Sequence, residues 1–401
     1  MFVKIIQHLL IPIVATTFLA SCQNVKHTAN NLPTDNLLVA DDYFSNTNDM
    51  HIHSIESPEQ IFHLPEETKI KLHKIMAVEH SIQDKTKKVL KFIISYADKG
   101  LIYDNSATRT VSETLLYGKA NCISLSVLAY SLAKEVGIEA DFQEVNIPEY
   151  WTSEMNQTWF NRHVNLRLKQ HRKVVDGDNV SISLNNYVVD FDPYSLKKHF
   201  KTSPINKQRI VAMFYNNKAA VAIAEENYAQ AYTYYKAAID MDATFSGTWS
   251  NLGILYRAHN LTALAEQVYK HSLALNPSSI NTMSNLAYLY QQTGEDVLAN
   301  ELEYKVMMAR KNNPYYHLIL GTEAFNLQNF NNSIKHFKIA LELDPNNHEA
   351  YFGLAKSYVS LNQLTLAERY LTQAKIHTSN IQDKMRYQSK LMVLNQIAKA
   401  N

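Results

Sequence analysis

The segment from Trp249 to Tyr256, with the sequence WSNLGILY, recurs in altered form every 34 residues in the C-terminal half of the protein. Its leucine and the small residue after it return three times, as Leu286-Ala287, Leu320-Gly321 and Leu354-Ala355. Repetition at such an interval is typical of helix pairs that stack side by side into a solenoid. A small residue at one fixed point of each unit predicts that the two helices of a pair approach each other closely.

Other residues keep the same period of 34. The small ones are Ala231, Ala265, Ala299, Ser333 and Ala367, and the large ones are Tyr215, Trp249, Met283, His317 and Tyr351. The pattern resembles tetratricopeptide repeats, and the resemblance implies five of them over residues 208–381. The first is degenerate, because Lys218-Ala219 replaces leucine and glycine. In the third, the closing proline, Pro314, comes three residues after the position that the 34-residue period gives. Residues 382–401 are predicted to form a helix that caps the last repeat.

The periodic residues are predicted to form the core between stacked helices, so a binding surface must use other positions on the concave face. Such solenoids bind peptides or partner proteins in their groove. The candidates on this surface are Tyr232, Tyr234, Arg257, Asn285 and Lys356.

The N-terminus determines the compartment that we predict. Residues 5–19 are apolar and end in Leu19-Ala20-Ser21-Cys22, which resembles the lipobox of bacterial lipoproteins. The resemblance implies a signal peptide over residues 1–21 and a lipid on Cys22. Gln23, where an aspartate is absent, resembles the residue that follows this cysteine in lipoproteins sorted to the outer membrane. The resemblance therefore implies an outer-membrane anchor and a protein that faces the periplasm. The polar, asparagine-rich residues 22–55 are predicted to be a flexible tether.

The balance of charge argues against nucleic acid as a partner. The protein has 39 basic and 38 acidic residues, so it has no excess charge to attract nucleic acid. An apolar fraction of 46% is ordinary for globular proteins. Cys122 is the one cysteine left after the lipobox, so no internal disulfide is predicted. No cofactor or metal site is predicted either.

Cys122 begins a segment without charged residues that runs to Ala133, which predicts a helix buried nearly all round. Asn121 is a candidate N-cap and Gly137 a candidate C′ residue. Cys122 would then lie in the first turn, where backbone N–H groups and the helix dipole favour a thiolate. Strand-like patterns follow around His163 and before Asp190.

This order of cysteine, histidine and aspartate resembles the transglutaminase-like core. The resemblance rests on Asn121-Cys122, the buried helix after it, His163-Val164 and Val189-Asp190. It implies an α+β, papain-like domain over residues 56–207, ahead of the all-α solenoid. It also implies a triad in which Cys122 is the nucleophile, His163 the base and Asp190 the group that orients the histidine.

Two points stay open in the sequence. Asp192 is the runner-up acid, because it lies on the same strand face as Asp190; Asp190 is preferred because it ends an apolar run, whereas Asp192 precedes Pro193. Residues 148–162 are predicted to form a loop, either a lid over the site or a packed excursion. The backbone N–H of Cys122 is the proposed oxyanion donor.

Two functions from different classes fit these features. The first is a cysteine enzyme that hydrolyses or transfers amide bonds of a protein or peptide recruited by the repeats. The second is an interaction scaffold whose transglutaminase-like domain is catalytically silent. Reactivity of Cys122 discriminates between them.

Overall fold

The computed structural model describes residues 34–45, 55–77, 82–98, 102–154, 157–176, 179–191, 200–378 and 381–400. All described residues belong to one compact unit, residues 33–401. Cys22 and Asp192 lie outside the described residues. Within them, no helix combines the length and the apolar character needed to cross a membrane.

Helices come first in the described part of the protein. They are a 3-10 helix (Thr34–Leu37), α1 (Asp41–Ser45), α2 (Pro58–Phe62), α3 (Glu66–Met76), α4 (Ile82–Asp98), α5 (Val111–Tyr117) and α6 (Cys122–Glu135), with the short parallel strands β1 (Ile102–Tyr103) and β2 (Lys119–Ala120). Helix α2 begins with a capping box, because Ser57 accepts from the Gln60 backbone and the Gln60 side chain accepts from the Ser57 N–H. Proline at the first helical position suits this start, since its missing N–H would have had no intrahelical partner.

A four-stranded antiparallel sheet covers one side of α6. Its strands are β3 (Ala140–Glu154), β4 (Gln157–Asp176), β5 (Asn179–Val189) and β6 (Thr202–Ile205), in the order β5-β4-β3-β6. Helix α6 packs against β4 and β3. Phe142, Val164 and Leu166 of the sheet are buried in the same core as α6.

The segment predicted to be a loop, residues 148–162, is instead mostly the end of a long hairpin. Strands β3 and β4 stay paired out to Glu154 and Gln157, with a register shift between Val145 and Tyr150. Pro148 lies inside this shift, where the ladder does not need its missing N–H. The pairing extends β3 beyond the core, and β3 also contacts the helix at Pro314–Asn326.

The C-terminal half consists of antiparallel helix pairs. The helices are α7 (Lys207–Ala224), α8 (Tyr228–Met241), α9 (Ser246–Ala258), α10 (Thr262–Leu275), α11 (Ile280–Thr293), α12 (Asp296–Arg310), α13 (Pro314–Asn326), α14 (Phe330–Leu343), α15 (His348–Ser360), α16 (Leu364–His377) and α17 (Ile381–Ala400). Pairs follow sequence order from α7/α8 to α15/α16, and α17 packs on α16.

The predicted close approach within pairs is confirmed at two glycines. A Cβ added to Gly253 would lie 2.4 Å from the Tyr269 ring, and one added to Gly321 would lie 2.8 Å from the Phe337 ring. Real Cβ atoms do not approach neighbours so closely, so only glycine lets these rings pack against the facing helix. Trp249 and Tyr256 of the same repeat unit are fully buried, as their period predicted.

The boundary predicted at residue 207 does not separate two cores. Thr202–Ile205 is a strand of the sheet and Lys207 begins α7, so only Asn206 lies between the sheet and the first helix of the repeats. One apolar core contains Leu128 of α6 together with Val211 and Phe214 of α7. These apolar side chains pack across the junction because the cysteine segment and the first repeat would each expose an apolar face if they were separate.

The predicted flexible tether over residues 22–55 is also wrong for residues 34–45. These residues contact α8 and α10, the second helices of the first two repeats, and the ring of Phe44 stacks on Tyr232 with centroids 4.9 Å apart. The Tyr256 hydroxyl donates to the Leu37 carbonyl over 2.8 Å, and Lys236 pairs with Asp41 over 2.6 Å. Apolar residues spaced through this polar segment were the available signal in the sequence.

Candidate functional site

Cys122 is the first residue of α6, as its sequence context predicted. Asn121 is the N-cap, and its side-chain oxygen accepts from the Ser124 N–H over 3.0 Å. The Asn121 amide also donates to Thr108 Oγ1 over 2.6 Å, which ties the helix start to the preceding segment. Cys122 is buried, with 6% of its surface exposed. The thiol therefore lies at the positive end of a well-anchored helix.

His163 and Asp190 lie together on neighbouring strands. His163 is on β4 and Asp190 directly follows β5, and the pairing of Leu166 with Val189 fixes their relative position. The His163 Nε2 and Asp190 Oδ1 atoms are 2.6 Å apart. Because Asp190 holds Nε2, the ring nitrogen that remains for Cys122 is Nδ1.

Asn165 is a member of this site that sequence reasoning missed. Its Nδ2 donates to the Asp190 Oδ2 over 3.1 Å, so each oxygen of the carboxylate has a fixed partner. His163 and Asn165 are two residues apart on β4 and therefore point to the same face. That spacing was a signal available in the sequence.

The electrostatics of His163 favour its charged form. Burial acts to lower the pKa of His163, but hydrogen bonding to Asp190 and the interaction with Cys122 outweigh burial and raise this pKa to about 10. Both partners act in this direction because an imidazolium is stabilised by a carboxylate and by a thiolate. The arrangement places a charged imidazole beside the Cys122 thiol. The catalytic role of Cys122, His163 and Asp190 stays a prediction.

Cys122 also lines a cavity of about 650 Å³. Most of the other residues that line this cavity come from α7, α9 and α11, the first helices of three successive repeats. The cysteine segment and the repeats therefore face the same space. Sequence reasoning missed this shared cavity, because it treated the two parts as separate domains.

Family comparisons identify the repeats. Residues 320–380 and residues 214–245 each match a family profile described as a tetratricopeptide repeat. Tetratricopeptide repeats are therefore present in this protein. Such repeats provide a surface that binds proteins or peptides.

Two solved structures are similar to part of this protein. The crystal structure of YrrB, described as a TPR protein with an unusual peptide-binding site, is 16% identical and covers 46% of this chain and 94% of its own, with a TM-score of 0.26. A structure of MamA is 27% identical and covers 42% of this chain and 99% of its own, with a TM-score of 0.25. No curated protein sequence gives a significant match.

Of the residues predicted for the concave surface of the repeats, Asn285 lines the cavity. Tyr232 instead packs on Phe44, and the Tyr234 hydroxyl donates to Glu56 over 2.8 Å. Arg257 lies over the Tyr288 ring, and Lys356 lies between the rings of Phe325 and Phe352. Most of these side chains therefore stabilise packing.

The described residues contain no cluster of possible metal ligands. Across residues 34–45, 55–77 and the later described ranges, no three histidine, cysteine, aspartate or glutamate side chains are grouped so that they could hold an ion. The reactive groups that the site brings together are the thiol of Cys122, the imidazole of His163 and the carboxylate of Asp190.

Proposed function

We propose that this protein is an envelope lipoprotein that hydrolyses or transfers an amide bond of a protein or peptide held by its repeats, with Cys122 as nucleophile. The observation that carries the proposal is the position of Cys122: it begins a helix, interacts with a His163–Asp190 pair and lines the cavity that the repeats share. A structural cysteine needs none of these three features.

The proposed reaction begins with attack of the Cys122 sulfur on the substrate carbonyl carbon. A C–S bond forms, and the carbonyl oxygen takes the negative charge, which the backbone N–H of Cys122 stabilises at the helix N-terminus. The His163 imidazolium then gives its proton to the departing amine as the C–N bond breaks. The products of this half-reaction are a thioester on Cys122 and the free amine.

The second half-reaction determines the class of enzyme. Neutral His163 takes a proton from water or from an acceptor amine, which attacks the thioester carbonyl and restores the thiolate and imidazolium. Water gives hydrolysis and an amine gives transfer. Asp190 stabilises the imidazolium in both cases. Its hydrogen bond with Nε2 also fixes the orientation of the ring, so that Nδ1 faces Cys122 and the substrate.

The proposal also includes lipidation of Cys22, which would anchor the protein in the outer membrane facing the periplasm. The apolar residues 5–19 and the Leu-Ala-Ser-Cys sequence support it. Cys22→Ser should abolish incorporation of labelled fatty acid and release the protein from membranes. Lipid label on the Cys22→Ser protein, or none on the wild type, would contradict this anchoring.

Turnover is tested with a pool of synthetic peptides, with and without added alkylamine, followed by mass spectrometry. Wild-type protein should produce cleaved or amine-linked peptides, and Cys122→Ala and His163→Ala should each reduce the rate at least 100-fold. Ser126→Ala, a change within α6 beyond the first turn, is the matched control. Equal product from wild type and Cys122→Ala would refute the enzyme.

One observation favours the second function, an interaction scaffold with a silent site. Cys122 is only 6% exposed and continues into a helix in which ten further residues are buried, as expected for a core residue. A silent site would leave the thiol unreactive in the folded protein while peptide binding to the repeats persists.

A further inference from the structure

The stack of repeats is interrupted between the third and the fourth. Helix α8 packs on α9, α10 on α11 and α14 on α15, but α12 and α13 have no comparable packing. In the residues that the structure describes, the apolar cluster of the first three repeats reaches Leu302, and a separate cluster begins at Tyr315. A solenoid is held together by contacts between neighbouring repeats, so this boundary adds little to its cohesion.

The turn at this boundary also differs from the turns after α8, α10 and α14. Those three turns have four residues each and begin with Asp242, Asn276 and Asp344. The side-chain oxygen of each accepts from the backbone N–H two residues later, over 3.0, 3.2 and 3.3 Å, which fixes the path of the turn. After α12 the turn has three residues, and the equivalent position is Arg310, whose side chain has no acceptor.

A ring that joins two repeats elsewhere is missing here. A Cβ added to Gly321 would lie 2.8 Å from the Phe337 ring of the same repeat, and one added to Gly353 of the next repeat would lie 2.4 Å from it. The Phe337 ring therefore bridges the fourth and fifth repeats. The equivalent residue of α12 is Glu303, which is exposed and accepts from the Gln291 side chain instead.

Met307, one helical turn after Glu303, is left uncovered. It is 45% exposed, whereas Leu273 and Leu341, at the same position of α10 and α14, pack against apolar cores. Side chains four residues apart lie on one side of a helix, so Glu303 and Met307 mark a single side of α12, which we call the open side. Stacking of a following helix would remove this apolar surface from water.

Helix α13 contacts strand β3, a neighbour that lies outside the repeats. Strand β3 pairs with β4, and Val145 of β3 lies opposite His163 of β4. The sheet is fixed to α6 by the shared core, and α13 is joined to α12 by only three residues. Movement of α13 onto α12 would therefore shift it relative to β3, so the two contacts compete.

We propose that residues 311–313 form the hinge of a two-state switch, in which α13 packs either on β3, as in this structure, or on the open side of α12. The fourth and fifth repeats move with α13, since the apolar clusters of α13 to α17 join them. In the second state the β3–β4 hairpin loses its contact with the repeats. The switch thus connects the last two repeats with the strand that carries His163. It needs no turnover at Cys122, so it stands or falls separately from the proposed function.

Spin labels on full-length Cys22→Ser, Cys122→Ala protein measure the two states. Labels at Thr233→Cys and Glu301→Cys report on the first three repeats, and labels at Glu301→Cys and Arg369→Cys report across the hinge. The three positions are exposed and equivalent, two residues after the periodic small residue of a second helix, so each pair is two repeats apart. We expect double electron–electron resonance to show one narrow distance distribution for the first pair and two populations for the second.

Two outcomes of this measurement would overturn the switch. One is a single distribution that is equally narrow for both pairs. The other is a second population that grows with protein concentration, because a second copy of the protein, rather than α13, would then cover the open side of α12.

Glu303→Phe tests the cause of the interruption. It restores a ring at the position of Phe337, so α13 should pack on α12 and the label pair across the hinge should concentrate in one population. Without labels, the same variant should exchange amide hydrogens at least about 5-fold faster in the paired residues 150–154 and 157–161 of the hairpin.

Lys305→Phe is the matched control. It adds the same ring to α12 at an exposed position, about 200° around the helix from Glu303, and should behave like the parent protein. Unchanged populations and unchanged hairpin exchange in Glu303→Phe, with its helix content intact by circular dichroism, would overturn the switch.

Discussion

Asp190 connects two side chains of β4, because one carboxylate oxygen faces His163 and the other accepts from Asn165. The Asn165 amide thereby prevents the carboxylate from rotating away from the imidazole. Asn165 is 3% exposed, so water cannot easily replace it. We assign Asn165 the role of a positioning residue, which acts on the thiol only through Asp190 and His163.

Asn165→Ala should therefore slow alkylation of Cys122 at pH 7 about 3- to 10-fold. This is less than the roughly 1.5–3 kcal/mol of a hydrogen bond to a charged group, because Asn165 acts on the thiol only through Asp190 and His163. The rate is measured with iodoacetamide by intact-protein mass spectrometry. Asn186→Ala, an exposed asparagine on β5, is the control and should react like the wild type. A wild-type rate in Asn165→Ala would remove Asn165 from the site.

His163 also predicts how stability changes with pH. Its pKa is raised from 6.5 to about 10, so the folded state holds this proton more tightly than the unfolded state does. The stabilisation is fully present below about pH 6.5 and is lost as the pH rises toward about 10.

We expect the free energy of unfolding to fall between pH 7 and pH 10, and to fall less in His163→Gln. Urea unfolding of both proteins at several pH values measures the difference. Parallel pH profiles in this interval would show that His163 is not the charged partner of Asp190 and Cys122.

At this scale the sequence predicted a good part of the candidate site. Asn121 as N-cap and Gly137 in a left-handed conformation follow directly from local backbone chemistry, and the structure confirms both. The proximity of His163 and Asp190 depended on strand pairing, which order along the sequence only suggests. Asn165 was not predicted, because a strand asparagine carries no chemistry of its own and gains its role only from the carboxylate it holds.

At the scale of elements, the turn inside each repeat has a feature that no sequence pattern revealed. A residue with positive φ occurs every 34 residues: Glu226, Asn260, Gly294, Gln328 and Asn362, with φ between 57° and 78°. Only one of these is glycine, so the left-handed conformation is imposed by the helix pairs rather than by residue type. Asparagine tolerates this conformation, but glutamate and glutamine do so at a cost.

Gln328→Gly should therefore raise the free energy of unfolding by about 0.5–1 kcal/mol, because relief of the left-handed strain exceeds the entropic cost of glycine. Gly294→Ala should lower it by about 1 kcal/mol for the opposite reason. Both are measured by urea unfolding. Destabilisation by both substitutions would contradict the strain at Gln328.

The hairpin of β3 and β4 shows where element prediction failed. Residues 148–162 contain Pro148 and no clean alternation of apolar and polar residues, a pattern typical of a loop. The register shift between Val145 and Tyr150 accommodates the proline and lets the strands continue. Pairing between two strands determined the structure here, and a local pattern does not encode it.

At the scale of the whole molecule, the cysteine part and the first repeats share one core. Tyr215 and Tyr234 of the first repeat both bond to Glu56, which also pairs with Lys218 over 2.8 Å. Two patterns in the sequence, the order of cysteine, histidine and aspartate and the 34-residue period, predicted two separate domains. The sequence did not predict their union because these contacts join residues more than 150 positions apart.

Separation at residue 207 should accordingly expose apolar surface. A fragment of residues 208–401 should lose hydrogen-exchange protection in α7 and α8, because Val211 and Phe214 no longer face the cysteine part. Helices α15 and α16 have their own apolar clusters with α17, so their protection should persist. Full protection of α7 in this fragment would show that the repeats form an independent domain.

The most direct test of the account is the reactivity of Cys122 at pH 7 in the folded full-length protein. Iodoacetamide labelling is followed by mass spectrometry for wild type, for His163→Ala and for wild type unfolded in urea. We predict that folded wild type labels at Cys122 faster than both of the others, because His163 lies beside the thiol as its catalytic partner. A Cys122 that stays unlabelled in the folded protein but labels readily in urea would contradict the account.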